Sequence, residues 1–339
     1  MTTLVTGAAG FIGMHVALRL LERGERVVGI DRLDAYYPVA LKRARLHELE
    51  RHRGFAFHRL DLADADALRG ALRGERVRRI VHLAAQPGVR HSLENPQAYV
   101  SANVAGHVNV LEWARQADGL EGMVYASSSS VYGGNTKLPF SEEDAVDTPI
   151  SLYAATKRSG ELMAHTYAHL FRIPLTGLRF FTVYGPWGRP DMAVWRFTEA
   201  ILAGRPIRVF NHGDMMRDFT YVDDIVSGVV AASDAPPSGD GQEPPHRLYN
   251  IGNNRPERLT HLIAVIEKAL GRRAEQVLEP MQPGDVPATF ADIDRIRADH
   301  GFAPTTSLED GIPRFVDWFM AYRDGAARSQ ASPHPFAGD

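Results

Sequence analysis

The sequence predicts an α/β protein built on a doubly wound parallel sheet, with a smaller C-terminal domain interleaved with it. Three observations lead to this prediction. Short apolar strands alternate with segments of helical periodicity through the first half of the chain. A glycine-rich turn, residues 7–13, separates the first strand from the first helix. After residue 185 the chain becomes rich in Pro, Gly, Arg and scattered aromatic residues, which indicates a second kind of domain.

The individual elements follow from the spacing of apolar residues. Short continuous apolar runs indicate strands that are buried on both faces, whereas apolar residues three and four apart indicate helices. The predicted strands are residues 4–6, 27–30, 55–58, 79–83, 122–126, 175–181 and 248–252, and the predicted helices are residues 11–23, 104–116 and 259–270.

Domain boundaries are predicted where the composition changes. Residues 1–185 form the large sheet domain, to which residues 218–258 return, and residues 186–217 and 259–324 form the smaller substrate domain. The polar residues 325–339, which contain Ala and Pro, are predicted to be a disordered tail.

The composition excludes several classes of function. The 339 residues include no cysteine, so a disulfide framework, a thiolate metal site and a cysteine nucleophile are excluded. The net charge of −3 gives no reason to expect nucleic acid as a partner. The apolar runs are shorter than a membrane span and no signal-peptide pattern is present, so no membrane partner is expected and the predicted location is cytoplasmic. The 14 histidines show no ligand spacing, so no metal is expected.

The glycine-rich turn is the first candidate site. Its spacing is Gly-x-x-Gly-x-x-Gly, with Gly7, Gly10 and Gly13 around Phe11 and Ile12. Glycines between a strand and a helix let the backbone approach a pyrophosphate, which the N–H groups at the helix N-terminus then bind. A glycine triplet alone would equally fit a flexible turn. Together with the alternating strands and helices it predicts a Rossmann-like dinucleotide-binding domain.

An acidic residue at the end of the second strand favours NAD as the dinucleotide. Asp31 stands 18 residues after Gly13, where a carboxylate accepts the ribose hydroxyls and repels a 2′-phosphate. Arg32 follows directly, and because a guanidinium can accommodate a 2′-phosphate, NADP stays an alternative. Asp61 and Leu62 follow the third strand and are expected to contact adenine, although Asp61 would serve equally well as a helix cap.

A Tyr-x-x-x-Lys pair is the second candidate site. Tyr153 and Lys157 are four residues apart at the start of a helical stretch, so they lie side by side on one face. A neighbouring ammonium lowers the pKa of a tyrosine and makes its phenolate a usable base near neutral pH. Four serines, residues 127–130, end the fifth strand, at the edge where open α/β sheets bind their ligands. Their hydroxyls can bind a reacting oxygen.

From Thr6 to about Tyr322 the chain resembles the extended short-chain dehydrogenase/reductase family. The resemblance implies NAD as cofactor and Ser128, Tyr153 and Lys157 as the catalytic residues. Besides the residues named above, it implies that the following also lie along the cofactor: Leu83, Ala84, Ala85, Asn103, Ser127, Phe180 and Val183.

Within that family, several segments resemble the UDP-glucuronate 4-epimerases. The usual form has Asn-Leu-Asn where this chain has Arg32-Leu33-Asp34, and often a charged residue in place of Trp187. These departures concern local contacts and not the class. The resemblance implies conversion of UDP-glucuronate to UDP-galacturonate. The segments are residues 31–37, 41–45, 180–193, 213–224 and 281–286.

The serine segment favours epimerisation over elimination. Sugar dehydratases of this family carry an Asp-Glu pair there, and UDP-glucuronate decarboxylases usually carry a Glu, whereas this chain has Ser129 and Ser130. Serine has no useful acid–base pKa, so a mechanism that needs only Tyr153 and NAD is favoured. A 4-keto uronate is a β-keto acid, and Ser128, Ser129, Ser130 and Thr182 are expected to hold its carboxylate away from the geometry that releases CO₂.

The remaining candidates are substrate contacts. Arg189 and Arg217 are expected to bind phosphates and sugar, because a guanidinium forks onto oxyanions, although surface salt bridges would also explain them. Arg90 is a further candidate of this kind. Phe210 would stack on uracil or lie in the core. Two more residues complete the predicted substrate site, Val209 beside Phe210 and Asp285 at the ribose hydroxyls.

Three alternatives stay open from the sequence. A UDP-glucuronate decarboxylase and a UDP-hexose 4-epimerase would use the same cofactor and the same tyrosine. A non-catalytic NAD-sensing protein would be expected to lack Tyr153 or Lys157, and both are present. The family resemblance also implies a homodimer formed through the helices near residues 104–116 and 153–170.

Overall fold

The structure, a computed structural model, describes residues 1–239, 241–282 and 285–331, and describes 326–331 by their backbone alone. The strands are β1 (Thr2–Thr6), β2 (Arg26–Asp31), β3 (Phe55–Arg59), β4 (Arg79–His82), β5 (Gly122–Ser128), β6 (Leu175–Phe180), β7 (Thr182–Tyr184), β8 (Ile207–Val209), β9 (Met216–Tyr221), β10 (His246–Ile251), β11 (Pro256–Arg258) and β12 (Gln276–Leu278). The helices are α1 (Phe11–Glu22), α2 (Val39–Glu50), α3 (Ala65–Ala71), α4 (His91–Glu94), α5 (Pro96–Tyr99), α6 (Gly106–Gln116), α7 (Leu152–Phe171), α8 (Ala193–Leu202), α9 (Val222–Asp234), α10 (Leu259–Leu270), α11 (Asp294–His300) and α12 (Leu308–Ala331).

The central layer is a seven-stranded sheet in the order β3-β2-β1-β4-β5-β6-β10, and all its pairings are parallel. The doubly wound sheet and all seven strands predicted from the sequence are confirmed. The strand order reverses between β1 and β4, and open sheets of this kind bind their ligands at such a point.

Helices cover both faces of the central sheet. Along β1, Leu4 belongs to one hydrophobic core and Val5 to the other, because side chains alternate between the faces of a strand. Helices α1 and α9 pack together, as do α6 and α7. The helix predicted at 104–116 is continuous with a π-helical segment, Val100–Ala105. Among the helices of the described residues, none combines the length and apolar character needed to cross a membrane.

The smaller domain has sheets of its own. Strands β7, β9 and β11 form one sheet, and β8 pairs with β12. The observed division differs from the predicted boundaries, because only α9 and β10 of the segment 218–258 return to the central sheet, while β11 and the end of β9 stay in the smaller one. A strand of three to six residues does not show in its sequence which sheet it will join.

The tail prediction is wrong for residues 325–331, because α12 continues to Ala331. Phe315 and Phe319 anchor this helix in the core. The Ala and Arg residues that follow have high helix propensity, so the helix continues beyond its packed part. The rest of the predicted tail, 332–339, lies outside the described residues.

Candidate active site

A cavity of about 490 Å³ collects most of the predicted site residues. It lies where the strand order reverses, with the loops after β1 and β4 among its walls. The cavity therefore joins the predicted cofactor site and the predicted sugar site into one space. The predicted residues that line it are Gly7, Gly10, Phe11, Ile12, Gly13, Asp31, Arg32, Asp61, Leu62, Leu83, Ala84, Ala85, Ser127, Ser128, Ser129, Ser130, Tyr153, Lys157, Phe180, Thr182, Val183, Arg189 and Asp285.

The glycine turn fits a pyrophosphate because side chains would fill it. Gly7 has a φ of 72°, and a Cβ there would stand 2.8 Å from the backbone nitrogen of Ala84. A Cβ on Gly13 would stand 2.1 Å from the carbonyl oxygen of Gly7, since α1 packs directly on the turn. Gly10 is the N-cap of α1 and places no side chain over the first N–H groups of the helix. Those donors are therefore free to bind an anion at the cavity wall.

Asp31 ties the end of β2 to the glycine turn. Its carboxylate accepts hydrogen bonds from the backbone nitrogens of Leu33 at 2.7 Å and Ala9 at 3.2 Å. Burial raises the pKa of Asp31, while these hydrogen bonds and the charges of Lys42 and Arg45 oppose the rise. A cofactor with an extra phosphate at this point would meet a carboxylate, so the residues present fit NAD.

Arg45 connects this turn to the smaller domain. Its buried guanidinium donates to the carbonyl oxygen of Ala9 at 3.0 Å, and to those of Trp187 and Gly188 at 2.6 and 3.1 Å. Trp187 has a φ of 61°, which turns the chain here. Arg189, two residues further on, is thereby placed on the cavity wall.

The Tyr–Lys pair lies on the first turns of α7. Ser151 caps this helix by accepting a hydrogen bond from the backbone nitrogen of Ala154 at 3.1 Å. Lys157 Nζ lies 5.9 Å from the centroid of the Tyr153 ring and donates to the carbonyl oxygen of Ala126 at 2.9 Å. Burial lowers the pKa of Lys157 to about 8.

The expected lowering of the Tyr153 pKa by Lys157 is not what the structure shows. Burial raises the pKa of Tyr153, and the Ser128 hydroxyl and the charge of Arg189 oppose that rise. The physical reason is that a buried phenolate loses its hydration, while the lysine ammonium is bound to a backbone carbonyl of β5.

The serine-bearing end of β5 forms the wall beside Tyr153. Ser127 donates to the Glu161 carboxylate at 2.6 Å, so its hydroxyl is turned into α7. Ser128 caps the short 3₁₀-helix Ser129–Tyr132 by accepting from the backbone nitrogen of Ser130 at 3.2 Å. Ser128, Ser129 and Ser130 reach the cavity, and this part of the wall therefore presents hydroxyls rather than an acid.

Arg189 is held by an acid at the same end of the cavity. Its Nε donates to Asp191 at 3.0 Å, and the hydroxyl of Tyr36 donates to the same carboxylate at 3.1 Å. Burial acts to raise the pKa of Asp191, but the charge of Arg189 and the hydrogen bonds from Arg189 and Tyr36 together outweigh it, and the pKa is lowered. The guanidinium thus has a fixed position near Tyr153.

Two predicted residues lie away from the cavity surface. Asn103 is buried behind the wall, where it accepts from the backbone nitrogen of Gln86 at 2.7 Å and donates to its carbonyl oxygen at 3.1 Å. Its contact with a cofactor would therefore be indirect. Val209 is fully buried in β8, because its side chain belongs to the core of the smaller domain.

Three other predicted residues do not line the cavity itself but group around Asp285, which does. Arg90 donates to Asp285 at 3.1 Å, and Arg217 donates to it at 3.4 Å. The Arg90 guanidinium lies over the ring of Phe210, with Cζ 4.9 Å from the ring centroid. The salt bridges considered as an alternative for Arg217 are therefore present, and they stand directly beside the cavity.

Several lining residues were not predicted. Tyr36, Lys42 and Gln86 reach the cavity, as does Met192. Tyr36, Lys42 and Met192 belong to segments that resemble the 4-epimerases. That resemblance could have been used to predict them as site residues. Gln86 follows the Leu83–Ala85 segment directly and could have been included by extending it.

The parallel sheet, the glycine turn after β1 and the Tyr–Lys pair on α7 define a short-chain dehydrogenase/reductase of the extended type with a site for NAD. The chain belongs to the NAD dependent epimerase/dehydratase family, whose model matches residues 3–252. The family and the cofactor predicted from the sequence are thereby confirmed.

Known proteins resemble this chain over nearly its whole length. A probable UDP-glucuronate 4-epimerase of Rhizobium meliloti (strain 1021) is 49% identical over 94% of this chain and 97% of its own length. UDP-glucuronate 4-epimerase 4 of Arabidopsis thaliana is 47% identical over 97% of this chain and 78% of its own length. The crystal structure of UDP-glucuronic acid 4-epimerase from Bacillus cereus, in complex with UDP-glucuronic acid and NAD, has a TM-score of 0.87 at 36% identity. The match covers 95% of this chain and 100% of that one.

Proposed function

We propose that this chain is an isomerase that interconverts UDP-glucuronate and UDP-galacturonate by 4-epimerisation through a transient 4-keto sugar. The observation that carries the proposal is that Tyr153, the acid-free serines 128–130 and the glycine turn line one cavity. The relatives named above support the same substrate. NAD bound on the turn supplies a hydride acceptor and then a donor at C4, so the reaction has no net redox change.

Tyr153 is proposed to move the proton of the C4 hydroxyl. Its phenolate takes that proton as C4 becomes a ketone, and the phenol returns it when the new stereocentre forms. Ser128 faces the phenol and would hold the same oxygen by a hydrogen bond. Lys157 is fixed to β5 by its bond to Ala126, so its positive charge stays beside the tyrosine while the proton moves.

The cavity wall is suited to keeping the carboxylate of the sugar on the ring. A 4-keto uronate loses CO₂ when its carboxylate stands perpendicular to the ketone plane. Ser129, Ser130 and Thr182 offer neutral hydrogen bonds to hold it away from that geometry, and Arg189 supplies a positive charge at the same end. Charge-assisted hydrogen bonds stabilise the ionised carboxylate over the neutral CO₂ that would leave.

The cluster at Asp285 is proposed to bind the UDP part of the substrate. Arg217 and Arg90 share this one carboxylate. Because a diphosphate carries more charge than Asp285, it would bind these guanidiniums in preference to the carboxylate. Phe210, beneath Arg90, offers a ring on which uracil can stack. Val209, being buried, would contribute only its backbone.

We also propose that two copies of the chain pair through α6 and α7. On α7, Leu162, Leu170 and Phe171 are exposed by 53%, 61% and 44%. Contiguous exposed apolar side chains mark interaction surfaces. Tyr167 on α7 donates to Glu112 on α6 at 2.6 Å, which joins the two helices into one surface. Light scattering tests the proposal, since L170E should yield monomers if it holds.

The catalytic proposal is tested by supplying purified protein with UDP-glucuronate and separating the products by chromatography. We expect UDP-galacturonate at equilibrium with UDP-glucuronate and no CO₂. A UDP-pentose with one equivalent of CO₂ would instead establish a decarboxylase. Parallel incubations with UDP-glucose and UDP-galactose test the alternative of a UDP-hexose 4-epimerase. If NAD is bound but none of these sugars is converted, the result favours the non-catalytic NAD-sensing protein.

A further inference from the structure

Arg32 holds together three loops at the rim of the cavity. Its Nη1 donates to Asp61 Oδ2 at 3.0 Å, and its Nη2 donates to Asp34 Oδ2 at 2.7 Å and to Gln86 Oε1 at 3.0 Å. All four residues line the cavity. A single guanidinium therefore bonds the chain after β2 to the chain after β3 and after β4.

The bond to Gln86 crosses the position of the glycine turn. Arg32 directly follows β2, and Gln86 lies in the loop after β4. Between these two strands in the sheet lies β1, whose carboxyl end carries the turn from Gly7 to Gly13. The hydrogen bond between them therefore links the two sides of β1, and the carboxyl end of β1 is where the pyrophosphate of a cofactor would lie.

Each end of this bridge is held in place independently. Asp34 and Asp61 each use Oδ1 to accept a backbone N–H two residues later, at 2.8 and 3.0 Å, which leaves Oδ2 for Arg32. Gln86 is fixed by its two backbone hydrogen bonds with Asn103. Because the acceptors are already ordered, little conformational freedom is lost when Arg32 binds them.

The charges argue against a phosphate-binding role for Arg32. Its positive charge is shared by two carboxylates, and Asp31 adds a third acid next to it in the chain. A 2′-phosphate would bring further negative charge into this group of acids. The two positions where this chain departs from the Asn-Leu-Asn form, Arg32 and Asp34, are also bound to one another. The two substitutions relative to that form, at Arg32 and Asp34, therefore belong to one ion pair.

We propose that Arg32 is a clasp that retains NAD, and that the cofactor leaves the cavity only when the Arg32–Gln86 hydrogen bond over the glycine turn opens. This inference rests on the proposed function, because retention matters for a cofactor that is regenerated in every turnover. Asn103 then acts as a positioning residue for the clasp through Gln86.

The test measures release of the cofactor without any sugar. Protein loaded with NADH is mixed with excess NAD⁺, and the decay of NADH fluorescence gives the dissociation rate. We expect R32Q and Q86M each to release NADH about tenfold faster, equivalent to about 1.4 kcal/mol. The double variant should be no faster than either single variant, because both remove the same bond. R32K keeps the positive charge but lacks the planar guanidinium. Its release rate should lie between those of the unsubstituted protein and R32Q.

R51Q is the matched control, since Arg51 is exposed and pairs with Glu48 on α2. It makes the same change of charge away from the cavity and should leave the release rate unaltered. Melting temperatures of the cofactor-free proteins establish that each variant is folded.

Three results would overturn the clasp. Unaltered release from folded R32Q would show that Arg32 retains nothing. Additive effects in the double variant would show two independent contacts. Loss of NADPH binding in R32Q, where the unsubstituted protein binds NADPH, would make Arg32 a phosphate ligand. Since no sugar is present, failure of the clasp is distinguishable from failure of the 4-epimerase proposal, which the product assay decides.

Discussion

Ser127 donates a 2.6 Å hydrogen bond to the carboxylate of Glu161, which stands one helical turn beyond Lys157 on α7. The same carboxylate is fully buried and accepts from Arg179 at 2.8 and 2.9 Å. Since Lys157 is itself bonded to Ala126, β5 and α7 are joined twice, directly behind the cavity wall. Glu161 thus positions the serine-bearing end of β5, and its negative charge acts on Lys157.

Replacing Glu161 with Gln should shift the pH dependence of catalysis. Burial lowers the pKa of Lys157 to about 8, and the negative charge of Glu161 opposes that lowering. Without this charge the pKa falls further, the ammonium is lost at a lower pH, and the basic limb of kcat/KM moves to lower pH. The rate measured from pH 6 to 10 checks the shift.

The substitution also leaves Arg179 buried without its anionic partner, which costs about 3–5 kcal/mol of stability by analogy with other broken buried pairs. The position of the limb does not depend on the amount of folded enzyme, so it separates the two effects. D66N, at an acid exposed on α3, is the control. An unmoved basic limb in E161Q would contradict the role given to Glu161.

Replacing Tyr153 with Phe should abolish turnover while NAD stays bound. The ring remains in its place, but the proton at the C4 oxygen has no acceptor, and the loss of a general base lowers rates by about 10²–10⁴. Chromatography of the UDP-sugars and the absorbance of cofactor released on denaturation are the two measurements. Undiminished epimerisation by Y153F would remove Tyr153 from the mechanism.

Replacing His107 with Phe should make the protein less sensitive to acid. The His107 ring stacks on His82 at 5.1 Å, and burial lowers the pKa of His107 to about 3. In the unfolded chain a histidine binds its proton near pH 6.5, so stability falls as pH drops below that value, by up to about 1.4 kcal/mol per unit for each such group. Phe keeps an aromatic ring at this buried position and carries no group that binds a proton.

Urea unfolding of H107F at pH 7.5 and pH 5.0 tests this. The difference in free energy of unfolding between the two pH values should be smaller than in the unsubstituted protein. The control H169Q changes a histidine that is exposed on the same side of the sheet, on α7. An identical acid sensitivity in H107F would show that His107 does not contribute.

Replacing Gly13 with Ala should abolish NAD binding and destabilise the fold. The new Cβ would stand 2.1 Å from the Gly7 carbonyl oxygen, so either α1 or the turn must move. Gly70 provides the matched control, because its Cβ would meet no atom within 4 Å and Ala has the higher helix propensity in α3. We expect G70A to raise stability by up to about 1 kcal/mol and to bind NAD normally. Calorimetric titration with NAD that gave equal affinities for the two variants would contradict the packing argument.

Local sequence patterns were sufficient for the central sheet and for the position of its ligand site. Strands β1, β2, β4 and β5 each carry a short apolar run, because strands inside a parallel sheet are buried on both faces. The glycine turn at Gly7 and the spacing of Tyr153 and Lys157 are likewise short-range signals, since a turn and a helix face are set by neighbouring residues. These features required no knowledge of how distant segments meet.

Sequence patterns were thus enough to predict the family, the cofactor, the central sheet and most of the residues around the cavity. The partners of the charged side chains, in contrast, could be read only from the folded chain. Arg45 with Trp187, Arg32 with Gln86 and Glu161 with Ser127 are each separated by more than 30 residues. The physical reason is that a hydrogen bond depends on distance in space, and the folded chain brings together strand ends whose order in the sheet is not their order in the sequence.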